Sequence, residues 1–172
     1  MIVLLQRVLE AQVVRRAEGG QAEEPLGAVG RGLLAFVCAE PGDSAAVIAK
    51  AARKTARLRI FEDENGRMNL SAADIGGGVL VVSQFTLAAD CTSGSRPSFS
   101  NGASPAEAQK AYLAYVEALR AEGLKVETGS FGAHMRVRLT NDGPATFWLE
   151  FSGFDIFAGA GMHTLTALSS MR

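Results

Sequence analysis

The order of short apolar runs along the chain constrains the fold more than any other sequence feature. Runs rich in Val, Ile, Leu and Phe are typical of strands, and two longer segments, 45–59 and 105–122, repeat apolar residues at helical spacing. The predicted strands are 2–8, 11–15, Gly32–Cys38, 79–87, Lys125–Thr128, 134–139 and 145–151. The middle strands are therefore separated by helices, whereas the first and last strands follow one another closely.

This order predicts the fold class. We expect 11–15 to pair back on 2–8, and Asn65-Gly66 to close a hairpin. Closely connected strands pair antiparallel, whereas strand-helix-strand units favour parallel pairing. A chain of 172 residues is the length of one domain with one sizeable core. The prediction is a single α/β domain with a largely antiparallel or mixed, barrel-like sheet flanked by helices.

The composition is that of an ordinary soluble globular protein. Hydrophobic residues make up 48% of the chain and charged residues 20%, and the formal net charge is −1. A protein that wraps nucleic acid is usually strongly basic, so any RNA contact is expected to be local, through a few Arg around one pocket. The first residues lack the basic segment of a signal peptide, and no apolar run is long enough to span a bilayer. We therefore expect a cytoplasmic protein without a membrane partner.

The two cysteines do not indicate a disulfide scaffold or a metal site. Cys38 ends an apolar run and is typical of a small core residue, whereas Cys91 lies in a polar stretch. A single disulfide between them remains open at this stage. No cofactor is predicted.

The segment Ser83-Gln84-Phe85-Thr86-Leu87 places polar side chains at the end of the apolar strand predicted over 79–87. Because side chains alternate along a strand, Gln84 and Thr86 are expected on one face, about 6–7 Å apart. A hydroxyl beside an amide can orient a polar ligand or hold a water. The alternative is a strand that leaves the core and meets solvent, since polar residues near loops are common.

Thr86 has no activating partner in the sequence pattern. A hydroxyl nucleophile normally needs a neighbouring base. The chain has two histidines, His134 and His163, and neither belongs to a recognisable triad. Each is interpreted as a structural or surface histidine, so a covalent serine- or threonine-hydrolase mechanism is poorly supported.

The segment Asn141-Asp142-Gly143-Pro144 is interpreted as a turn between the last two predicted strands. Asp-Gly is a turn dipeptide, and proline fixes φ and removes a donor. A cis Gly143–Pro144 bond would direct the local carbonyls into a fixed array able to accept hydrogen bonds from an ammonium group. The cis form occurs in only about 5–6% of X-Pro bonds, so the pattern alone does not favour it.

The first helix carries Arg53, Lys54 and Arg57 largely off its apolar stripe. A solvated face is the favoured interpretation. A patch that contacts phosphates is the alternative.

Taken together and in this order, the two polar segments resemble the signatures of the D-aminoacyl-tRNA deacylases. The resemblance covers roughly residues 1–149. Further matching segments are Gln6-Arg7-Val8, Gly32-Leu33-Leu34, Leu58-Arg59-Ile60-Phe61-Glu62-Asp63, Met68-Asn69-Leu70-Ser71, Arg96-Pro97-Ser98-Phe99 and Gly129-Ser130-Phe131-Gly132-Ala133.

The resemblance implies a homodimer that hydrolyses the ester of D-aminoacyl-tRNA, and of mischarged glycyl-tRNA, at the subunit interface. In the family a cis Gly-Pro bond enters the partner's pocket, and the ribose 2′-hydroxyl is thought to assist catalysis. The implied catalytic residues are Gln84 and Thr86. The implied substrate-binding residues are Ser83, Phe85, Met135, Gly143 and Pro144, and the implied RNA contacts are Arg7 and Arg96.

Two alternatives remain open. One is a related deacylase with a trans Gly-Pro bond that removes a small L-amino acid from mischarged tRNA. The other is a non-catalytic RNA-binding dimer. Two segments depart from the family pattern: 16–26 is longer than usual, and 152–172 extends beyond the expected domain 1–151 and has no assigned role.

Overall fold

The structure is a computed structural model and describes residues 1–16, 22–100 and 102–153. The extension predicted over 152–172 lies almost entirely outside the described residues, as does His163. Among the described residues, no helix is long and apolar enough to cross a membrane. The strands are β1 (Ile2–Arg15), β2 (Glu24–Val29), β3 (Gly32–Cys38), β4 (Phe61–Glu62), β5 (Met68–Leu70), β6 (Gly78–Ser83), β7 (Lys125–Thr128) and β8 (Met135–Glu150), and the helices are α1 (Ala45–Arg57) and α2 (Pro105–Ala121).

The long strand β1 organises the sheet. One of its edges pairs antiparallel with β8, while the other pairs first with β3 and then with β2, both antiparallel. The prediction of two strands at 2–8 and 11–15 was therefore wrong. The exposed Leu9 and Glu10 interrupt the apolar pattern at the point where β1 changes partner, and the chain does not turn there.

The middle strands pair in parallel, as helical crossovers require. β3 pairs with β6 across α1, and β6 pairs with β7 across α2. Both helices begin where the sequence indicates: Ser44 caps α1, and Ser104 forms a capping box with Glu107 at the start of α2. The mixed α/β class is confirmed.

The sheet curls into a nearly closed barrel. Gly27 of β2 approaches β7 so closely that a Cβ at this position would lie 2.8 Å from the Thr128 carbonyl oxygen. The larger apolar core lies between the sheet and the two helices, and a smaller one, including Val8, Leu34 and Leu80, fills the inside of the curl. Because β3 and β6 contribute to both cores, their sequences are continuously apolar.

Candidate functional site

Strand β6 ends at Ser83, four residues earlier than predicted. The Gln84 amide still donates to the Val37 carbonyl at 2.8 Å, and the chain then tightens into a 3₁₀ turn, Phe85–Ala88. The expected strand alternation through 79–87 is therefore wrong beyond Ser83. Phe85 and Thr86 are exposed, whereas Ser83 and Gln84 are half-buried.

This tight turn brings the side chains of Gln84 and Thr86 into hydrogen-bond contact. Gln84 Nε2 donates to Thr86 Oγ1 at 2.5 Å, which replaces the separation of about 6–7 Å expected from an extended strand. With its oxygen occupied as an acceptor, the Thr86 hydroxyl can donate its own proton outward. The pair is thus arranged to present a hydrogen-bond donor to a ligand.

A cavity of about 520 Å³ lies beside this turn, at the carboxyl ends of β3 and β6. Its walls are mostly apolar, with polar groups from the turn, as is usual for small-ligand sites. Three predicted substrate-binding residues, Ser83, Phe85 and Met135, line it together with Gln84, one of the two predicted catalytic residues. The other, Thr86, is exposed on the turn beside the cavity and is not a lining residue. The remaining lining residues are Val37, Cys38, Ala39, Val82, Ala88, Phe99, Gly102, Ala103, Pro105, Ala108, Tyr112, Phe131, Gly132, Ala133, His134 and Val137.

Two exposed aromatic side chains lie at the mouth of the cavity. The rings of Phe85 and Phe99 meet edge to face with centroids 5.0 Å apart, and Phe85 is 63% exposed. Such a partly exposed aromatic pair offers a surface on which a nucleobase can stack. Phe99 belongs to the segment Arg96-Pro97-Ser98-Phe99, and Arg96 lies exposed in the same loop, as an RNA contact would require.

Two titratable groups of the cavity wall, Cys38 and Tyr112, are held in their neutral forms. Burial raises the pKa of the Cys38 thiol and raises the pKa of Tyr112 to about 12. The Tyr112 hydroxyl also donates to the Val81 carbonyl at 2.9 Å. Neither group is therefore a thiolate or phenolate nucleophile.

His134 lies at the cavity rim, a position that the sequence did not indicate. Its Nδ1 lies 3.4 Å from Arg16 Nη1, and no hydrogen bond joins it to Thr86 in the part of the chain that the structure describes. Tyr112 and Phe131 were also missed. Tyr112 belongs to the apolar stripe of α2, and this pattern looks the same whether the side chain fills a core or lines a cavity.

The second polar segment is not a turn between two strands. Asn141, Asp142, Gly143 and Pro144 all lie within β8, where its register on β1 shifts. Asn141 accepts from the Ala145 amide at 2.8 Å and donates to the Ala145 carbonyl at 3.2 Å. This side chain therefore spans an outward bulge in a continuous strand.

Gly143 and Pro144 form the tip of this bulge and are exposed. The peptide bond between them is cis, as the resemblance implied, and Gly143 has a φ of +146°. A side chain at Gly143 would meet the Ala145 amide nitrogen at 2.6 Å, so this backbone path requires glycine.

Arg7 supports the bulge from inside the protein. Its Nε donates to the Asp142 carbonyl at 2.9 Å and lies 3.3 Å from Asp142 Oδ2, and its Nη1 donates to the Ile60 carbonyl at 2.6 Å. Only 4% of Arg7 is exposed. The RNA contact implied for Arg7 stays a prediction, and it is not favoured by the structure, because the guanidinium is buried and its Nε and Nη1 already donate to protein carbonyls.

The two polar segments lie far apart within one chain. Gly143 and Pro144 are not among the cavity-lining residues. The bulge in β8 lies beside Arg7 of β1. Arg7 pairs with Leu33 of β3, and Leu33 pairs with Val79 of β6, so the bulge is three strands away from β6. Ser83 lies four residues further along β6. With the usual rise along strands and spacing between them, the separation is roughly 15–20 Å. One protomer does not bring the segments into a common site.

Neither a disulfide nor a metal centre is found in the described part of the chain. Cys38 and Cys91 are both free thiols, which removes the disulfide that the sequence left open. No group of three His, Cys, Asp or Glu side chains is close enough to hold a metal ion within 1–16, 22–100 and 102–153.

Comparisons with known proteins identify the family of this chain. The family model of the D-Tyr-tRNA(Tyr) deacylases matches residues 4–150. A D-aminoacyl-tRNA deacylase of Dinoroseobacter shibae is 53% identical over 87% of this chain and 99% of its own length. A protein of the same name from Paracoccus denitrificans is 52% identical over 87% of this chain and 97% of its own.

Solved structures share the fold. A c-Myc DNA unwinding element binding protein superposes with a TM-score of 0.77 at 34% identity, covering 87% of this chain and 98% of its own. A probable eukaryotic D-amino acid tRNA deacylase superposes with a TM-score of 0.72 at 15% identity, covering 86% of this chain and 97% of its own. From the family match and the extent of sequence identity, this chain belongs to the D-Tyr-tRNA(Tyr) deacylase family of hydrolases.

Proposed function

We propose that the protein hydrolyses the ester of D-aminoacyl-tRNA, and of mischarged glycyl-tRNA, as a cytoplasmic homodimer with two composite sites. In each site, the cavity of one subunit receives Gly143 and Pro144 of the other. The observation that carries this proposal is the exposed bulge, which projects from β8 but lines no part of its own chain's cavity. A two-fold dimer makes the exchange reciprocal, so that each subunit gives and receives one bulge.

The bulge provides a means of distinguishing amino-acid configuration. The carbonyl oxygens of Gly143 and Pro144 accept hydrogen bonds from the substrate's α-ammonium group. An L side chain then points into this backbone and clashes, whereas a D side chain points away. Rejection by a clash suits this task, because both enantiomers carry the same chemical groups. Glycine is accepted because it has no side chain to reject.

The cavity positions the ester without a covalent step. Water attacks the ester carbonyl carbon, the bond to the ribose 3′-oxygen breaks, and that oxygen leaves with a proton, giving free amino acid and tRNA. The Thr86 hydroxyl, held by Gln84, donates to the carbonyl oxygen as negative charge develops there. The neighbouring ribose 2′-hydroxyl assists, which fits a wall whose Cys38 and Tyr112 remain neutral.

The direct test compares hydrolysis of D-Tyr-tRNA and L-Tyr-tRNA by the purified protein under identical conditions. We expect rapid release of D-Tyr and, from the L substrate, no release above the spontaneous rate. Equal hydrolysis of both would contradict the configuration-dependent site. Preferential hydrolysis of a small L-aminoacyl-tRNA would instead support the related L-specific deacylase, and hydrolysis of neither would support a non-catalytic RNA-binding dimer.

A further inference from the structure

A basic surface on α1 lies outside the candidate site and has no role in the proposed reaction. Arg53, Lys54 and Arg57 lie three, four and seven residues after Lys50, so the four side chains share one helix face. All four are exposed, and they extend over about 10 Å of the helix. We call these four residues the α1 basic face.

Glu122 organises two of these cations without burying them. One of its oxygens lies 3.5 Å from Arg53 Nε and the other 3.1 Å from Arg57 Nε. The two arginine side chains nevertheless remain 69% and 72% exposed. Because each guanidinium has five N–H donors, the donors that do not face Glu122 remain available for other acceptors.

An open cleft of about 680 Å³ adjoins the α1 basic face. The face forms one wall, and the last residues of β8, with the adjoining Phe151, form the other. Trp148 lies in this second wall and is 51% exposed. Basic side chains next to an exposed aromatic ring are the combination with which proteins hold an RNA backbone and stack its bases.

The cleft and the candidate active site lie at the same end of the sheet. Glu150 of the cleft and Cys38 of the cavity wall pair with Ile2 from its two sides. Two strand spacings therefore separate them, about 10 Å. A nucleic acid whose 3′ end enters the cavity would pass close to the cleft.

We propose that the α1 basic face and Trp148 bind the phosphate backbone of the tRNA acceptor arm while its 3′ end occupies the cavity. This inference rests on the proposed function, which supplies the tRNA. Among the described residues, three cations, Arg53, Lys54 and Arg57, outnumber the two carboxylates of this surface, Glu122 and Glu150, on a chain whose overall charge is −1. Such a local surface binds RNA through its phosphates and in a salt-dependent manner.

The test compares two double variants of the full chain with the same change in charge. R53Q/K54Q removes one Arg and one Lys from the α1 basic face and leaves Arg57 paired with Glu122. R67Q/K125Q removes one of each from exposed positions outside the α1 basic face and the cleft. Binding of uncharged tRNA is measured at several salt concentrations, and hydrolysis is measured on D-Tyr-tRNA and on the small substrate 3′-D-tyrosyl-adenosine.

We expect R53Q/K54Q to weaken tRNA binding about tenfold and to reduce the slope of log K against log salt by about 2. Its kcat/KM should fall with D-Tyr-tRNA and remain unchanged with the small substrate, whereas R67Q/K125Q should match the wild type. Trp148 is the only tryptophan of the chain, so saturating tRNA should also change the intrinsic fluorescence.

Three results would overturn the proposal. The two double variants could weaken tRNA binding equally, or R53Q/K54Q could lose the same activity on both substrates. A changed oligomeric mass of R53Q/K54Q would instead show that this surface is a subunit interface. If the wild type hydrolyses neither substrate, the deacylase proposal fails. The comparison of tRNA binding still decides whether this surface contacts RNA.

Discussion

At the scale of single residues, the important contact is the hydrogen bond between Gln84 and Thr86. The sequence correctly placed both side chains at the end of an apolar strand, but not their direct contact. That contact depends on the 3₁₀ turn after Ser83, which the apolar run through Leu87 conceals. A strand pattern that continues past the last paired residue cannot reveal where the backbone leaves the sheet.

Replacing Thr86 tests the proposed donor. We expect Thr86→Ala to lower the single-turnover rate on D-Tyr-tRNA by about 100-fold, because a donor to the developing oxyanion is lost. Thr86→Ser keeps the hydroxyl and should retain most of the rate. The exposed position predicts nearly unchanged thermal unfolding for both variants. A Thr86→Ala variant as fast as the wild type would exclude Thr86 from catalysis.

The two cysteines should differ sharply in reactivity. Cys38 is only 2% exposed, and burial raises its pKa, so its thiolate fraction at pH 8 is below that of an ordinary cysteine. Cys91 is exposed. Iodoacetamide should therefore label Cys91 first and Cys38 only on unfolding, as peptide mapping by mass spectrometry would show. Rapid labelling of native Cys38 would contradict the burial of its thiol.

At the scale of elements, β8 explains why the second polar segment was misinterpreted. Asp-Gly followed by Pro usually ends a strand, and here the strand continues on both sides of it. The continuation depends on contacts distant in sequence, chiefly Arg7 with Asp142 and β1 with β8. Local patterns do not report such contacts, whereas the starts of the two helices at Ala45 and Pro105 depend on neighbouring residues and were predictable.

Arg7 should position the bulge, and its replacement tests this role. Arg7→Lys has one ammonium group, which cannot reproduce both carbonyl contacts of the guanidinium. We expect the free energy of unfolding to fall by about 2 kcal/mol, and hydrolysis of L-Tyr-tRNA to rise relative to D-Tyr-tRNA. Arg59→Lys is the matched control, because Arg59 makes an exposed contact with the Asn69 carbonyl. A stability loss with unchanged D/L preference would leave Arg7 a purely structural role.

The parallel pairing of β3 and β6 depends on two glycines facing each other. A Cβ at Gly32 would lie 2.0 Å from the Gly78 carbonyl oxygen. Gly32→Ala should therefore lower the free energy of unfolding by about 3 kcal/mol, as forced overpacking does. Gly30→Ala, where no atom lies within 4 Å, should change it little. Chemical denaturation of both variants measures the difference, and equal stabilities would contradict this close approach.

At the scale of the whole molecule, the fold class was predictable from the sequence, whereas the separation between the bulge and the cavity was not. Strand order, two helical crossovers and chain length together indicated a mixed α/β domain. The roughly 15–20 Å between bulge and cavity appears only once the strand register is known. In the sequence, Ser83 and Gly143 belong to two separate polar segments with no sign of contact between them. The expectation that these segments meet across a dimer came from the family resemblance.

The central claim is that each site combines one subunit's cavity with the other's bulge, and mixed dimers test it most directly. Thr86→Ala disables the cavity, and Pro144→Ala disables the bulge. When the two impaired variants are refolded together in equal amounts, half of the dimers contain one chain of each variant. Each of these mixed dimers has one intact site. We predict recovery to about a quarter of wild-type D-Tyr-tRNA hydrolysis, with each variant alone far less active than the mixture and of dimeric mass. Mixed dimers without any recovered activity would contradict the composite site.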